Sequence, residues 1–336
     1  MYGLTVQHAA VLGGGSFGTA LAAVLGQKHT RVTLWSNEPE VVETVQRKHE
    51  NPKYLEGVGL PASVAATLDV RALASAELVV IAVPSHAVRE VLSNVRKIIH
   101  QDAIVVCAAK GIEVDTLDLM SDVCDASLDR PERIAYLSGP SFAREVAEGL
   151  PTNVLVAARS HETAVRAQQL VSMPYFRCYT STDVTGIEIA GAAKNVYAIA
   201  AGCLDGMGLG LNARAALITR GLNEMTRVGL ALGAEPLTFA GLAGVGDLVL
   251  TCTGALSRNR QLGMLLGQGR TLHDALIEVR TVAEGVKTAQ ALYRLAVKHG
   301  LDLPIAMRIY GVLFEQLEVH EALRQLMSRE LKPEWS

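Results

Sequence analysis

Residues 9–27, AAVLGGGSFGTALAAVLGQ, join a short apolar run to an alanine- and leucine-rich run through three glycines. The second run predicts a helix from about residue 15 to residue 26. Gly13, Gly15 and Gly18 form the pattern G-x-G-x-x-G between the predicted strand and helix. In that setting the first glycine permits a tight turn, the second lets backbone approach a pyrophosphate, and the third lets the helix pack close to the strand. Because the helix N-terminus also offers free N–H groups to phosphates, the stretch predicts a dinucleotide site.

The alternation of apolar runs and helical patterns continues to about residue 185. Further apolar runs that read as strands lie at residues 31–35, 76–83, 103–109, 133–138 and 151–158. Continuous apolar strands separated by helices are typical of a parallel sheet covered on both faces. The pattern therefore predicts an α/β fold, with an N-terminal doubly wound, Rossmann-type and mainly parallel sheet.

The pattern changes after about residue 185, where apolar residues recur at helical spacing and few β-type runs remain. The second half is therefore predicted to be all-helical. We expect a dinucleotide-binding Rossmann-type domain over residues 1–188 and an all-helical substrate-binding domain over residues 189–336.

Composition and charge exclude several classes of protein. The formal net charge of −3 gives no sign of the basic stripe of a nucleic-acid-binding protein. No apolar run reaches the roughly 18 residues of a membrane span. The cysteines are odd in number and form no C-x-x-C pair, so neither a zinc site nor a disulfide framework is indicated. We therefore expect a cytoplasmic protein with no nucleic-acid partner, no integral membrane segment and no metal.

The end of the second predicted strand, WSNE at residues 35–38, is where recognition of the adenosine ribose is expected. An NAD site usually has Asp or Glu about 20 residues past the glycines, on the ribose 2′-hydroxyl. Here Asn37 is neutral and can serve a hydroxyl or a phosphate, and Glu38 is either the ribose acid or a solvated charge before Pro39. No arginine stands there to bind a 2′-phosphate, so we predict weak discrimination between NAD and NADP.

Two polar clusters in the first half are candidate substrate ligands. Lys110 directly follows a predicted strand, and ligands gather at the carboxyl ends of strands in open α/β sheets. The alternative is a solvated loop lysine. Gly139 and Pro140 predict a tight turn, after which Ser141 is either a ligand for an oxyanion or a helix N-cap.

Two further clusters lie in the second half. Lys194 stands among small and apolar residues, which predicts burial, and desolvation lowers the pKa of a lysine toward the range of a general acid–base. The alternative is a lysine that reaches the surface along its apolar stem. Asp247 lies between apolar runs, and Ser257, Arg258 and Asn259 together offer donors that suit a phosphate monoester. The alternative for Asp247 is a helix N-cap, and the alternative for residues 257–260, SRNR, is a polar helix start.

Eight motifs occur in order: GGGSFGTA, VPSH, AAKGIE, SGPSFA with GLPT, GAAKN, NARAALITRG, GLAGVGDLVLTCT with SRN, and VAEGVKT. From about residue 9 to about residue 315, the sequence closely resembles the bacterial type of NAD(P)-dependent sn-glycerol-3-phosphate dehydrogenase. The resemblance implies reversible NAD(P)H-dependent reduction of dihydroxyacetone phosphate to sn-glycerol 3-phosphate, which feeds glycerophospholipid synthesis. It also implies NAD and NADP as cofactors and a small phosphate as substrate.

The resemblance implies a role for each matching residue. Lys194 is the expected general acid–base, with Lys110 and Asp247 completing the catalytic set. Where the family often has His or Arg at position 37, this chain has Asn, which bears on NADP binding. The substrate-binding residues implied are Lys110, Gly139, Ser141, Lys194, Asp247, Ser257, Arg258 and Asn259. The cofactor-binding residues implied, with the motif glycines, are Gly13, Gly15, Ser16, Phe17, Gly18, Asn37, Lys110, Ala143, Arg258, Val282 and Glu284.

Two alternatives stay open at the level of the sequence. One is another dehydrogenase of the same architecture, acting on a 3-hydroxy acid or on 6-phosphogluconate; the GVGDLVLTCT and SRN segments disfavour it. The other is a non-catalytic NAD(H) sensor, which the presence of Lys194 and Lys110 disfavours. A homodimer is a hypothesis from the architecture alone.

Overall fold

The computed structural model describes residues 3–279, 284–331 and 333–334. In these residues the N-terminal half is built on one eight-stranded sheet, whose strands are β1 His8–Leu12, β2 Arg31–Trp35, β3 Val64–Thr67, β4 Leu78–Ile81, β5 Ile104–Cys107, β6 Ile134–Ser138, β7 Thr152–Ala157 and β8 Phe176–Ser181. From one edge to the other their order is β8-β7-β6-β5-β4-β1-β2-β3. All neighbouring pairs are parallel except β6 and β7. The predicted doubly wound, mainly parallel sheet is confirmed.

Helices cover both faces of the sheet. The helices of this half are α1 Ser16–Gly26, α2 Pro39–Lys48, α3 Pro52–Leu55, α4 Val88–Val95, α5 Met120–Leu128, α6 Ala143–Ala147 and α7 His161–Val171. Along β4, Val79 packs into an apolar core with α4 and α5, whereas Leu78 packs into a second core with α1 and α7. Because both faces are covered, the central strands β4 and β5 are apolar throughout, which is why they could be predicted.

Two edge strands were not predicted. β3 and β8 expose alternate residues, and their sequences, VAAT and FRCYTS, lack the continuous apolar run of a central strand. A small antiparallel pair, Glu50–Asn51 with Glu56–Gly59, was also not predicted and lies on either side of α3. The described residues of the N-terminal half also contain three short 3₁₀ helices, Val70–Leu73, Ser85–Ala87 and Pro131–Arg133.

The described residues after β8 are helical, as predicted. The elements are α8 Val184–Gly206, α9 Leu211–Ala231, α10 Pro236–Phe239, a π-helical turn Leu242–Gly246, α11 Asp247–Thr253, α12 Arg258–Gly267, α13 Leu272–Val279, α14 Glu284–His299, α15 Pro304–Phe314 and α16 Val319–Met327. Almost all of α8 is buried, because α9, α11, α12 and α14 pack around it and β6 lies against it. The predicted boundary between residues 188 and 189 falls inside α8 and stays a prediction.

Two helical stretches, Val184–Gly206 and Pro236–Thr253, are long and apolar enough to cross a membrane by length and composition alone. The first is 100% buried inside the protein and the second is 39% buried. A buried core helix such as the first passes the same test, and one or two stretches of this kind are weak evidence of a membrane span.

Candidate active site

A buried carboxylate binds two lysines where the two halves of the protein meet. Lys194 lies in the middle of α8, and its Nζ donates to Asp247 Oδ1 at 2.5 Å. Lys110 follows β5, and its Nζ donates to Asp247 Oδ2 at 2.8 Å. The side chains of Lys194, Lys110 and Asp247 are 9%, 14% and 1% exposed, so water screens these ion pairs little. Three of the predicted site residues therefore form one cluster.

Burial and charge shift the pKa values of this cluster. Burial lowers the pKa of Lys194 from 10.5 to about 8, an effect that Asp247 opposes and Lys110 strengthens. Burial on its own raises the pKa of Asp247, but the ammonium groups of Lys110 and Lys194 outweigh it and hold that pKa below its usual value. Asp247 thus stays ionised, while Lys194 can gain or lose a proton near neutral pH.

Local backbone geometry places Asp247. It is the first residue of α11 and directly follows the π-helical turn Leu242–Gly246. Such single π turns recur at functional sites. Thr251 lies one helical turn further on; its hydroxyl is 2.6 Å from the Asp247 carbonyl oxygen and 3.3 Å from Oδ1. The Asp247 carboxylate therefore has close polar neighbours from α8, α11 and the end of β5.

The ends of β5 and β6 bring the other first-half candidates to the same place. Gly139 adopts a φ of 123°, a conformation that favours glycine, directly after β6. Its carbonyl oxygen accepts a hydrogen bond from Lys110 Nζ at 3.0 Å and another from the Ser141 hydroxyl at 3.0 Å. Lys110, Gly139 and Ser141, predicted from separate motifs, thus form one connected group at the carboxyl ends of the strands.

The start of α12 carries the predicted phosphate ligands. Ser257 is the N-cap of α12 and its hydroxyl accepts from the Arg260 N–H at 3.2 Å, so this segment is also the polar helix start given as the alternative. The Asn259 amide donates to Asn195 Oδ1 at 3.0 Å and accepts from the Gly285 N–H at 3.0 Å. Arg258 begins the helix. These contacts tie the start of α12 to α8, one residue from Lys194.

The glycine loop fits a dinucleotide. Gly13 has a φ of 122°, and a Cβ there would lie 2.7 Å from the Ala82 carbonyl oxygen; a Cβ at Gly18 would lie 1.9 Å from the Gly13 carbonyl oxygen. By contrast, Gly15 has an ordinary φ of −72°, and a Cβ there would meet no atom within 4 Å. Neither backbone nor packing explains glycine at 15, but the approach of a ligand does. No side chain caps the N-terminus of α1, which leaves its N–H groups for phosphates.

Most of the remaining cofactor candidates lie around this loop and the site. Ser16 and Phe17 begin α1, and Ala143 begins α6, which packs on α1. Asn37 follows β2, whose last carbonyl, that of Trp35, accepts from the Gly13 N–H at 2.9 Å.

Glu284 and Arg258 lie near each other in the helical half. Glu284 begins α14, and the Ser85 backbone after β4 lies close enough to its carboxyl group to lower its pKa. Burial raises the pKa of Glu284, and the nearby Arg258 opposes that shift. The predicted cofactor contact Val282 lies outside the described residues.

Two residues of the site were missed at the level of the sequence. Asn195 follows Lys194, and Thr251 stands four residues after Asp247, so its place on the same helical face is a signal that was available. Within the described residues, no group of three His, Cys, Asp or Glu side chains could hold a metal ion.

Comparison with known proteins assigns both halves to one family. Residues 8–164 match the family model described as the NAD-dependent glycerol-3-phosphate dehydrogenase N-terminus, and residues 183–324 match the corresponding C-terminus. The chain is 51% identical over 329 residues to a glycerol-3-phosphate dehydrogenase (NAD(P)+) of Citrifermentans bemidjiense, covering 97% of this chain and 98% of the relative. It is also 51% identical over 327 residues to the enzyme of the same name from Geobacter metallireducens, covering 96% and 98%.

A solved structure agrees with these relatives. The crystal structure of glycerol-3-phosphate dehydrogenase from Coxiella burnetii is 37% identical in sequence to this chain and superposes with a TM-score of 0.91. The similarity covers 96% of this chain and 99% of that one. It therefore extends over both the sheet and the helical half.

Proposed function

The chain belongs to the NAD-dependent glycerol-3-phosphate dehydrogenase family, and on that premise we propose how its own residues carry out the reaction. It is an NAD(P)-dependent enzyme for the reversible reduction of dihydroxyacetone phosphate to sn-glycerol 3-phosphate. The matches over both halves decide against a dehydrogenase for a 3-hydroxy acid or 6-phosphogluconate, and against a non-catalytic NAD(H) sensor.

The observation that carries the mechanism is the Lys110–Asp247–Lys194 cluster. When bound, NAD(P)H supplies a hydride to the carbonyl carbon of the substrate. Lys194 donates a proton to the carbonyl oxygen as negative charge develops there, because its pKa of about 8 keeps it protonated at neutral pH and yet able to lose the proton. In the reverse direction the neutral amine of Lys194 accepts the proton of the hydroxyl.

The other two members of the cluster support this transfer. Asp247 holds the Lys194 ammonium at 2.5 Å and offsets the burial that would otherwise drive its proton away. Lys110, fixed between Asp247 and Gly139, supplies positive charge for the developing oxyanion. Since two lysines share one carboxylate, the cluster carries an excess positive charge when both are protonated, which suits an anionic substrate.

We assign the substrate phosphate to the start of α12. Arg258 supplies a guanidinium, Asn259 an amide and Ser257 a hydroxyl at a helix N-terminus, which favours anions. Asn259 is also fixed to Asn195, beside Lys194. Binding energy at the phosphate therefore positions the reacting carbon relative to the amine.

Replacement of Arg258 by alanine tests this assignment. We expect kcat/KM for dihydroxyacetone phosphate to fall about 10- to 100-fold, which corresponds to the loss of a charge-assisted hydrogen bond of about 1.5–3 kcal/mol. Dihydroxyacetone, which lacks the phosphate, should already be a very poor substrate of the unaltered enzyme. At saturating NADH, which removes any effect of Arg258 on cofactor affinity, the R258A change should leave that residual activity nearly unchanged.

The measurement is steady-state NADH oxidation with each substrate. A matched control is Arg260→Ala, because Arg260 lies on the same helix but pairs with Asp205. Equal losses with the two substrates in R258A would place the phosphate elsewhere.

We further propose a cytoplasmic enzyme whose product feeds glycerophospholipid synthesis. All five cysteines are free and buried, which accords with a reducing compartment. A homodimer remains a hypothesis from the architecture.

A further inference from the structure

Lys53 lies at the ribose end of the proposed cofactor site, although it belongs to no motif of the strand–helix–strand unit. We propose that Lys53 neutralises Glu38 there and is the residue that lets this chain accept the 2′-phosphate of NADP as well as the 2′-hydroxyl of NAD. This inference rests on the cofactor site described above.

The segment that carries Lys53 is fixed directly to the glycine loop. Asn51, immediately before α3, is fully buried, and its Nδ2 donates to the Gly14 carbonyl oxygen at 2.8 Å and to Thr19 Oγ1 at 2.8 Å. α3 also packs against α1, the helix that follows the glycines. Lys53 is therefore two residues from a hydrogen bond to the loop that receives the pyrophosphate.

Glu38 lies shortly after β2 and directly before α2, and two residues of α3 contact its carboxylate. The Tyr54 hydroxyl donates to Glu38 Oε1 at 2.8 Å, and Lys53 Nζ pairs with Oε2. The Glu38 side chain is 29% exposed, so it is neither a freely solvated charge nor deeply buried. The alternative of a freely solvated charge is therefore disfavoured, whereas a ribose acid held beside a cation fits these contacts.

The opposite charges of Lys53 and Glu38 affect which dinucleotide the site accepts. A lone acid at the end of the second strand binds the ribose 2′-hydroxyl and repels a 2′-phosphate. With Lys53 on Glu38, that repulsion is offset and a cation is within reach of the phosphate. Lys53 also pairs with the exposed Glu40. Because these ion pairs are partly exposed, they are weak, and the ammonium can exchange a carboxylate for a phosphate.

The test is calorimetric titration of NADP+ and of NAD+ without substrate. Lys53→Met should weaken NADP+ binding by about 10-fold, the size expected for loss of a charge-assisted contact, and leave NAD+ affinity within about two-fold. Glu38→Gln should act in the opposite direction, tightening NADP+ binding and weakening NAD+ binding. Arg47→Met is the matched control, since Arg47 on α2 pairs with Glu43 instead; it should change neither affinity.

Each other outcome overturns the inference. An equal loss of both affinities in K53M would show that Lys53 only holds the segment in place. Unchanged affinities would show that the 2′-phosphate lies elsewhere, with the proposed function intact. If the unaltered protein bound neither dinucleotide, the cofactor site itself would be wrong, and the proposed function would fail with it.

Discussion

Replacing Lys194 with alanine is expected to reduce kcat for dihydroxyacetone phosphate reduction by about 10²–10⁴-fold, the usual contribution of a general acid. NADH affinity should stay within about two-fold, since the amine contacts Asp247 and not the glycine loop. Steady-state kinetics and NADH fluorescence titration measure the two quantities.

Amine rescue separates a chemical role of Lys194 from a structural one. Lys194→Ala removes the ammonium and leaves space beside Asp247, so added methylamine should restore part of the turnover in proportion to its concentration. Lys28→Ala is the matched control, because Lys28 is also partly buried but donates to carbonyls at the end of α7. Turnover of K194A close to that of the unaltered enzyme would remove Lys194 from the mechanism.

Replacing Asp247 with asparagine should move the pH dependence of the reaction. In the unaltered enzyme, kcat/KM for reduction should fall as the pH rises through about 8, because Lys194 loses its proton there, and oxidation should gain over the same range. In D247N the charge that raises the pKa of Lys194 is gone, while burial and Lys110 still lower it. The pH at which kcat/KM for reduction falls should therefore decrease by about 1–3 units, the effect of an opposite charge at contact distance.

The same change should reduce kcat/KM for reduction at pH 8 by about 5-fold or more, since most of the Lys194 amine is then neutral. Breaking a buried ion pair also destabilises, by about 3–5 kcal/mol. Thermal unfolding should therefore accompany the kinetics, with Asp125→Asn, which breaks the Asp125–Arg159 pair, as control. If kcat/KM for reduction fell at the same pH in D247N as in the unaltered enzyme, Asp247 would not set the pKa of Lys194.

The core of the sheet could be predicted because central strands of a covered parallel sheet are apolar on both faces. Val79 and Leu78 face opposite cores, so the run around them shows no polar interruption. The edge strands β3 and β8 expose alternate residues and carry no such signal. Helices with an apolar repeat could be predicted for a similar reason, because the local spacing of their apolar residues indicates which face is buried.

Members of the site could be predicted one at a time, but their pairings could not. Lys194 was a candidate because a lysine among alanines is costly to bury, and Asp247 because it interrupts an apolar run. Their shared hydrogen bond depends on the packing of α8 against α11, because the two residues are 53 positions apart in the sequence. Lys53 was missed for a similar reason: it lies outside the residues that directly follow β2, and its pairing with Glu38 depends on how α3 packs beside them.

The most direct test of the account is a crystal structure of the enzyme with NAD+ and sn-glycerol 3-phosphate. We predict that Lys194 Nζ lies about 2.6–3.2 Å from the oxygen on the reacting carbon, the range for proton transfer between heavy atoms. A complex in which another group holds that oxygen and Lys194 contacts only Asp247 would contradict the central claim.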